Sequence, residues 1–476
     1  MATEPGASAP ALARSSAPVD WARPVGQVLL SPPHLTGGEL AALESTLESG
    51  WVAPAGPVPA AFEAALSAAT GFAHVLATAS GTAALHLGYR CLGVSAGDEV
   101  WTSALTFVAT VAPAVQMGAV PRFLDVDPRS WTLDIDLLER ELARAGRAGR
   151  LPRAVVPVDL FGQPCDLDAI VALCDRWGVP VMCDSAGAMG ATHRGGRHAG
   201  RGARLAVFSF NGNKIVTAGG GGALASDEPG LVGRARSLSQ AAREPGGHYQ
   251  HETTGHAYGM SSLLAAVGLA QLGALPARVS ARRAVFARYR AALGGLPGLS
   301  FMPEAPWSRP SRWLTAVLLD PTEGAPERDA LRRHLAAAGI ESRPVWKPLH
   351  LQPVFRDAPR AGGAVAASLF ERGLCLPSGS GMAAPEQDRV IAAARALWPK
   401  EGVMGDGTAG GGLRVLYLHQ HFSTPAGATG TRSYAMARAL AARGHAVTVA
   451  CGRYAGAETG LDGPFRRGRR EGRVGA

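Results

Sequence analysis

The 476-residue chain reads as an α/β protein: a large domain with a mostly parallel sheet between helices, followed by a small α+β domain. Three observations predict this. Between about Val28 and Leu275, short β-rich runs alternate with helical stretches, the pattern of strand–helix–strand units. Beyond that point the order changes to a long helix, a strand and two further helices. Hydrophobic residues make up 47% of the chain against 18% charged, which is enough to bury large cores. A length prior of roughly 150 residues per domain gives two to four of them.

Taken in order, residues 1–25 are Ala/Ser/Pro-rich without hydrophobic periodicity and are expected to be a disordered extension. The large domain spans 26–275. Its strands are expected in AHVLATAS, DEVWTS, VPRFLDV, RAVVPVDLFG, VPVMCDSA, LAVFSF and GGALAS, and its helices in stretches such as AALHLGYRCLGV and LDAIVALCDRWG. The small domain, 276–400, opens on the amphipathic PARVSARRAVFARYRAALGGL. It continues through strand-like RWLTAVLLD and helix RDALRRHLAAAG to a closing helix, EQDRVIAAARALW. A Gly-rich linker, 401–412, follows. In 413–476, LRVLYLHQHF reads as a strand, GATGTRSYAMARALAARG as a Gly-loop and helix, and HAVTVACG as a second strand before a basic tail. One βαβ start is too little to cover both faces of a sheet.

No run of eighteen uncharged apolar residues occurs, and the N-terminus has no apolar stretch behind its charges, so a cytoplasmic protein without a membrane span is expected. Cys91, Cys165, Cys174, Cys183, Cys375 and Cys451 are scattered without CxxC spacing and read as buried free thiols rather than metal ligands. Of the net charge of +9, the tail PFRRGRREGRVGA carries five arginines against one glutamate, so the rest of the chain is only mildly basic. Without a basic stripe interleaved with aromatics, nucleic acid is not an expected partner. A mild positive balance also suits diphosphate-bearing substrates.

Candidate chemistry sits in one βα domain. FSFNGNKIVTAGGGGAL places Lys214 beside tightly turning backbone, where its amine is either a solvated surface group or a nucleophile able to form a Schiff base with an aldehyde cofactor. VPVMCDSAGAMGA ends a hydrophobic strand on Asp184, either an N-cap or a carboxylate that keeps a pyridine nitrogen protonated. ATASGTAALHLGYR sets Ser80, Gly81 and Thr82 at a helix start, which suits ordinary capping or a phosphate monoester. Phe107 in SALTFVAT is a core residue or a ring that stacks on a cofactor. Together, a phosphate cradle, a ring partner and an amine outweigh the separate bland readings.

From about Leu30 to Trp398 the chain resembles the DegT/DnrJ/StrS family of sugar aminotransferases, especially the branch acting on UDP-linked 4-keto-6-deoxy-N-acetylhexosamines in bacillosamine-type pathways. The matching text is long and ordered: LSPPHLTGGEL, SGWVAPAGP, SGTAALHLG, GDEVWTSALTFVAT, FLDVDPRSWTLD, VDLFGQPCDLDAI, FSFNGNKIVTAGGGG, SRPVWKPLHLQPVF and RGLCLPSG. The resemblance implies the fold type I architecture of transferases that use pyridoxal 5'-phosphate (PLP), cycling with its pyridoxamine form (PMP). It implies that Lys214 carries the cofactor as a Schiff base, Asp184 pairs with the pyridine nitrogen, Phe107 faces the ring, and Ser209 joins Ser80, Gly81 and Thr82 around the phosphate. Asn211 and Asn213 would flank the site, with Trp346, Lys347 and His350 near the nucleotide-sugar and the latter two on its diphosphate. An amino acid donor, glutamate by analogy, and a homodimer with active sites at the subunit interface are also implied.

Two departures bear on this reading. Gly187 stands where relatives carry Glu, Gln or His, and GHAYGMSS puts Ala257 and Gly259 where they read Asn and Arg, so weaker cofactor retention is expected. Lysine at 214, where the related sugar dehydratases use histidine, favours transamination. A dehydratase-like enzyme and a weakened member kept for an interaction role are the alternatives. Residues 413 to about 455 resemble the opening of a family-4-type, GT-B-fold glycosyltransferase and are expected to be a truncated fusion or run-on.

Overall fold

The computed structural model describes residues 26–398, 414–419, 432–442 and 445–451. The expected extension, linker, Gly-loop and basic tail lie largely outside these residues. The chain divides into two units, 1–399 and 400–476.

In the first unit, the seven apolar runs form strands β1 (His74–Thr78), β2 (Glu99–Ser103), β3 (Val120–Leu124), β4 (Ala154–Val156), β5 (Met182–Asp184), β6 (Leu205–Ser209) and β7 (Gly222–Ser226). Two four-stranded ladders are joined by the parallel bridges Val155 to Val181 and Val158 to Asp184. The resulting order is β1-β7-β6-β5-β4-β2-β3, with Arg360–Ala361 added parallel to β3. Only β7 runs antiparallel to its neighbours. Its cause is the connection: β6 and β7 are joined by a loop without a crossover helix, so the chain must return antiparallel. That loop carries Lys214.

The strands are near-continuous apolar runs because helices cover both faces of the sheet. Helix α1 (Gly81–Cys91) starts where the Ser80 hydroxyl accepts a hydrogen bond from Ala83 N–H, and it buries Leu85, Leu87 and Tyr89. Helices α2 (Ser262–Gly273) and α3 (Leu275–Leu293) then lead to the small domain.

Strands β8 (Leu299–Phe301), β9 (Thr315–Leu319), β10 (Arg343–Pro344) and β11 (Gly373–Leu376) form an antiparallel sheet in the order β10-β11-β9-β8. Its core contains Tyr289 and Leu293 of α3 with Val317, Leu319, Leu335, Leu374 and Val390. Chain order and layer do not coincide throughout. Val28 bridges Ile340 and packs in the small-domain core, while Arg360–Ala361 extends the large sheet.

Cys91, Cys165, Cys174, Cys183 and Cys375 are buried and free. No single helix among the described residues is long and apolar enough to cross a membrane. In the second unit, β12 (Arg414–His419) and β13 (Ala446–Cys451) pair parallel, with the helix Arg432–Ala442 between them in sequence.

Candidate active site

The C-terminal ends of β1, β2, β4, β5 and β6 meet the start of β7 around a cavity of about 740 Å³. This is where open α/β sheets bind ligands, because the strand ends and helix starts leave backbone groups free there. Ser80, Gly81, Thr82, Phe107, Asp184, Ser209, Asn211, Asn213, Lys214 and Trp346 all border it.

At one end the start of α1 forms a cradle of a kind that suits an anion. Ser80 is extended and caps α1, with Ala83 N–H donating to its Oγ over 3.0 Å. The N–H groups of Gly81 and Thr82 belong to the first helical turn, which has no preceding acceptors and carries the positive end of the helix dipole. Ser209 closes the cradle. A Cβ on Gly81 would lie 3.1 Å from Ser209 Cβ, and one on Gly222 only 2.4 Å from Gly81 N. Glycine at both positions is what lets the two strands and the helix start come together.

Across the cavity floor, Asp184 accepts hydrogen bonds from Thr110 Oγ1 at 2.7 Å and from Ala186 N–H at 3.1 Å. Burial pushes its carboxyl pKa up, opposed by those two donors and by Lys214. The Thr110 hydroxyl is in turn bonded to Thr106 over 2.7 Å.

Lys214 borders the cavity and is half-buried. The desolvation lowers its pKa to about 8, with Asp184 acting in the opposite direction. Its backbone is pinned on both sides. Asn213 C=O accepts from Ser31 Oγ and Trp313 Nε1, each at 2.7 Å, and Ile215 C=O accepts from the buried Arg278 at 3.1 Å. The Trp313 ring centroid lies 3.7 Å from Lys214 Nζ.

Phe107 is 55% exposed and meets Trp346 with ring centroids 5.8 Å apart. Two residues expected near the substrate do not border the cavity. Lys347 is exposed, and His350 is buried at 6% exposure, its ring against Gly363, where a Cβ would meet Nε2 at 2.9 Å. Burial, and then Arg360, lower the His350 pKa. The turn at Leu349–Leu351, tied to the large domain by Leu349 N–H donating to Ala104 C=O at 2.8 Å, carries the imidazole away from the cavity.

Thr110, Trp313 and Arg278 were not legible as site residues, although Thr110 lies three positions after Phe107 in the same segment. Two of the departing residues, Gly187 and Gly259, acquire a physical account. The space over Gly187 holds the Trp313 ring, and a Cβ on Gly259 would meet Pro54 Cβ at 2.8 Å. Tyr258 C=O accepts from Ala79 N–H at 2.8 Å, which sets the GHAYGMSS segment against the cradle end of β1. The donor set fits PLP: a helix start for a phosphate monoester, a carboxylate for a ring nitrogen, and an amine of lowered pKa for a carbonyl.

Residues 33–395 match the DegT/DnrJ/EryC1/StrS aminotransferase family. Over 369 residues the chain is 46% identical to EpsN of Bacillus subtilis (strain 168), covering 77% of this chain and 94% of that protein. It is 34% identical to GDP-perosamine synthase of Caulobacter vibrioides, covering 77% and 97% of the two chains. Among solved structures, Spr1654 from Streptococcus pneumoniae in its PLP-form superposes with a TM-score of 0.71 at 27% identity, over 78% of this chain and 98% of that one. Its PMP-form gives the same TM-score, over 78% of this chain and 97% of that one. With the α1 start, Asp184 and Lys214 on one cavity, these likenesses identify the chain as a member of the DegT/DnrJ/EryC1/StrS family and a PLP-dependent sugar aminotransferase.

Proposed function

We propose that the enzyme moves an amino group from an amino acid, L-glutamate, to the C4 keto group of a nucleotide-linked keto-deoxy sugar, for aminosugar and cell-surface polysaccharide synthesis. The observation that carries this reading is the Lys214 amine of lowered pKa, in one cavity with Asp184 and the start of α1. When bound, PLP supplies the carbonyl that takes up the donor's amino group and the ring that delocalises the electrons of a broken C–H bond. Ser80, Gly81, Thr82 and Ser209 hold the phosphate. Asp184 keeps the ring nitrogen protonated, with Phe107 and Asn211 beside the ring.

Lys214 has two duties: it anchors the cofactor, and once displaced by the donor it moves a proton. A pKa of about 8 leaves an appreciable share of free base near neutral pH, so Nζ can take the proton from the donor α-carbon and later return one to the sugar carbon. Lysine at this position, rather than histidine, supports transamination over dehydration.

Trp346 and Asn213, both on the cavity wall, are the proposed sugar-nucleotide contacts, and Lys347 and His350 enter only through the segment they share with Trp346. The name GDP-perosamine synthase supports a nucleotide-linked acceptor by likeness. A homodimer belongs to the same reading, with GHAYGMSS at the subunit contact. The strand–helix–strand order of the second unit supports its likeness to the start of a glycosyltransferase.

Incubation with glutamate and UDP-, dTDP- and GDP-linked 4-keto-6-deoxy sugars should give a 4-amino sugar identifiable by NMR. Lys214→Ala should lower that turnover by 10²-fold or more, on the order of what positioned acid–base groups contribute. Turnover near the wild-type level in Lys214→Ala would overturn the assignment.

A further inference from the structure

Three contacts of one side chain meet beside Lys214, two on the lysine and the carbonyl before it and one over Gly187. The Trp313 indole N–H donates to Asn213 C=O at 2.7 Å, fixing the carbonyl directly before the lysine. Its ring centroid lies 3.7 Å from Lys214 Nζ. Its six-membered ring also fills the space over Gly187, where a Cβ would lie 2.7 Å from Cε3 and 3.0 Å from Cζ3.

The indole is itself firmly placed. Trp313 is 3% exposed, and its carbonyl accepts a hydrogen bond from the buried Arg282. The residue before it, Arg312, has a left-handed φ of 52°, and Phe161, in the segment hydrogen-bonded to its own, is also left-handed at 51°. Ser311 N–H donates to Gly162 C=O at 2.9 Å and Leu314 N–H to Phe161 C=O at 3.3 Å, so the two unusual turns lock together. Bulky residues adopt positive φ only where the surroundings enforce it, and such places cluster at functional sites.

We propose that Trp313 is a positioning residue for Lys214: its indole face holds the lysine amine whenever that amine is not bonded to the cofactor, in the space that glycine at 187 leaves free. This deepens the reading of Lys214 as the cofactor-bearing lysine and rests on it. A lysine side chain has four rotatable bonds, so an amine displaced by the donor would otherwise sample many positions, most of them useless for proton transfer. An aromatic face attracts an ammonium group and gives it a preferred place. Among the described residues, the charged group that acts on the amine is Asp184 of β5, and Asp159 acts in turn on Asp184. Trp313 therefore adds a second stabiliser of the protonated lysine against the desolvation that opposes it. A side chain at 187 and an indole at 313 exclude one another, so the glycine at 187 is a consequence of this arrangement rather than a simple loss.

The sequence makes the test direct, because Lys214, Lys347 and Lys400 are its only lysines. Full-length protein without cofactor, labelled with ¹³C at the lysine ε-carbon, gives three signals, and Lys214→Ala assigns the one of interest. Trp313→Leu should lower the Lys214 titration midpoint by ~0.4–1.5 pH units, the range expected for loss of a cation–π contact. Gly187→Ala, which leaves the indole in the chain but pushes it off its place, should lower the midpoint in the same direction. Trp313→Phe, which keeps an aromatic face, should restore most of it, with the exposed Lys347 signal unmoved throughout.

An unchanged Lys214 midpoint in Gly187→Ala, or in a folded Trp313→Leu, would overturn the proposal. Gly187→Ala decides the matter if Trp313→Leu does not fold. Loss of the Lys214 signal when PLP is added tests the parent reading separately, because the midpoint comparison uses protein without cofactor.

Discussion

Among the described residues Thr110 is one of two hydrogen-bond donors on the Asp184 carboxyl, and the pairing bears on whether that buried group can stay charged, as its proposed partnership with the PLP ring nitrogen requires. Replacing it with valine keeps the shape and removes the donor. A buried carboxylate one donor short loses about 1–3 kcal/mol, and its neutral form gains accordingly. Thr110→Val should therefore raise the dissociation constant for PLP roughly tenfold, read by titrating the cofactor into the apo-protein, with the fold unchanged by circular dichroism. An unchanged constant would mean that Ala186 alone sustains the charge. At this scale Asp184 and the Ser80 turn were legible because each sits where a strand ends, and Lys214 because it lies in the Gly-rich loop after one; both can be read from local pattern. Thr110 and Trp313 were not, because each acts through a partner distant in sequence, Asp184 and Gly187 respectively, and one sequence does not print such pairings.

Between β6 and β7 the glycine run serves two needs that local reading merged into one. Gly219 and Gly221 take left-handed φ values of 79° and 108°, which turn the chain back toward the sheet. Gly222 is needed for a different reason. Its hydrogen faces the Ser80–Gly81 peptide so closely that a Cβ would lie 2.4 Å from Gly81 N and 2.5 Å from Ser80 C. Gly222→Ala must push α1 away from β7 and open the proposed phosphate cradle. The expected result is at least a tenfold loss of affinity for PLP together with a lower melting temperature, whereas Gly212→Ala, in the same loop with open space around its Cβ position, should change neither. Equal behaviour of the two variants would show that the cradle tolerates displacement. The strands themselves were legible from their apolar runs. The antiparallel insertion of β7 between β1 and β6 was not, since strand order depends on which edges meet after the connections are made.

Across the molecule, the lysine loop is tied to the N-terminal segment through a buried polar chain. Glu39, 4% exposed, accepts from Thr36 N–H at 3.0 Å, Gly37 N–H at 2.9 Å and the Gln271 side chain; Gln271 in turn accepts from Arg278, which donates to Ile215 C=O. Residues from three distant stretches thus meet next to Lys214, a contact that periodicity and composition could not reveal. Burial alone would raise the Glu39 pKa, but the backbone, Gln271 and Thr36 hydrogen bonds outweigh it and bring it to about 2. A carboxyl whose folded pKa lies below its unfolded value contributes stability above the unfolded value, near 4.5, and that contribution is lost as pH falls toward 2. Glu39→Gln should therefore cost up to about 3 kcal/mol at pH 7 and progressively less between pH 4.5 and pH 3, measured by urea unfolding at each pH. A stability difference that stayed constant over that interval would mean the Glu39 charge is not what the network holds. If the difference shrinks as expected, loosening this chain should also reach the site through Arg278 and Ile215, so Glu39→Gln at neutral pH should release PLP faster than the wild type while every residue on the cavity wall remains in place.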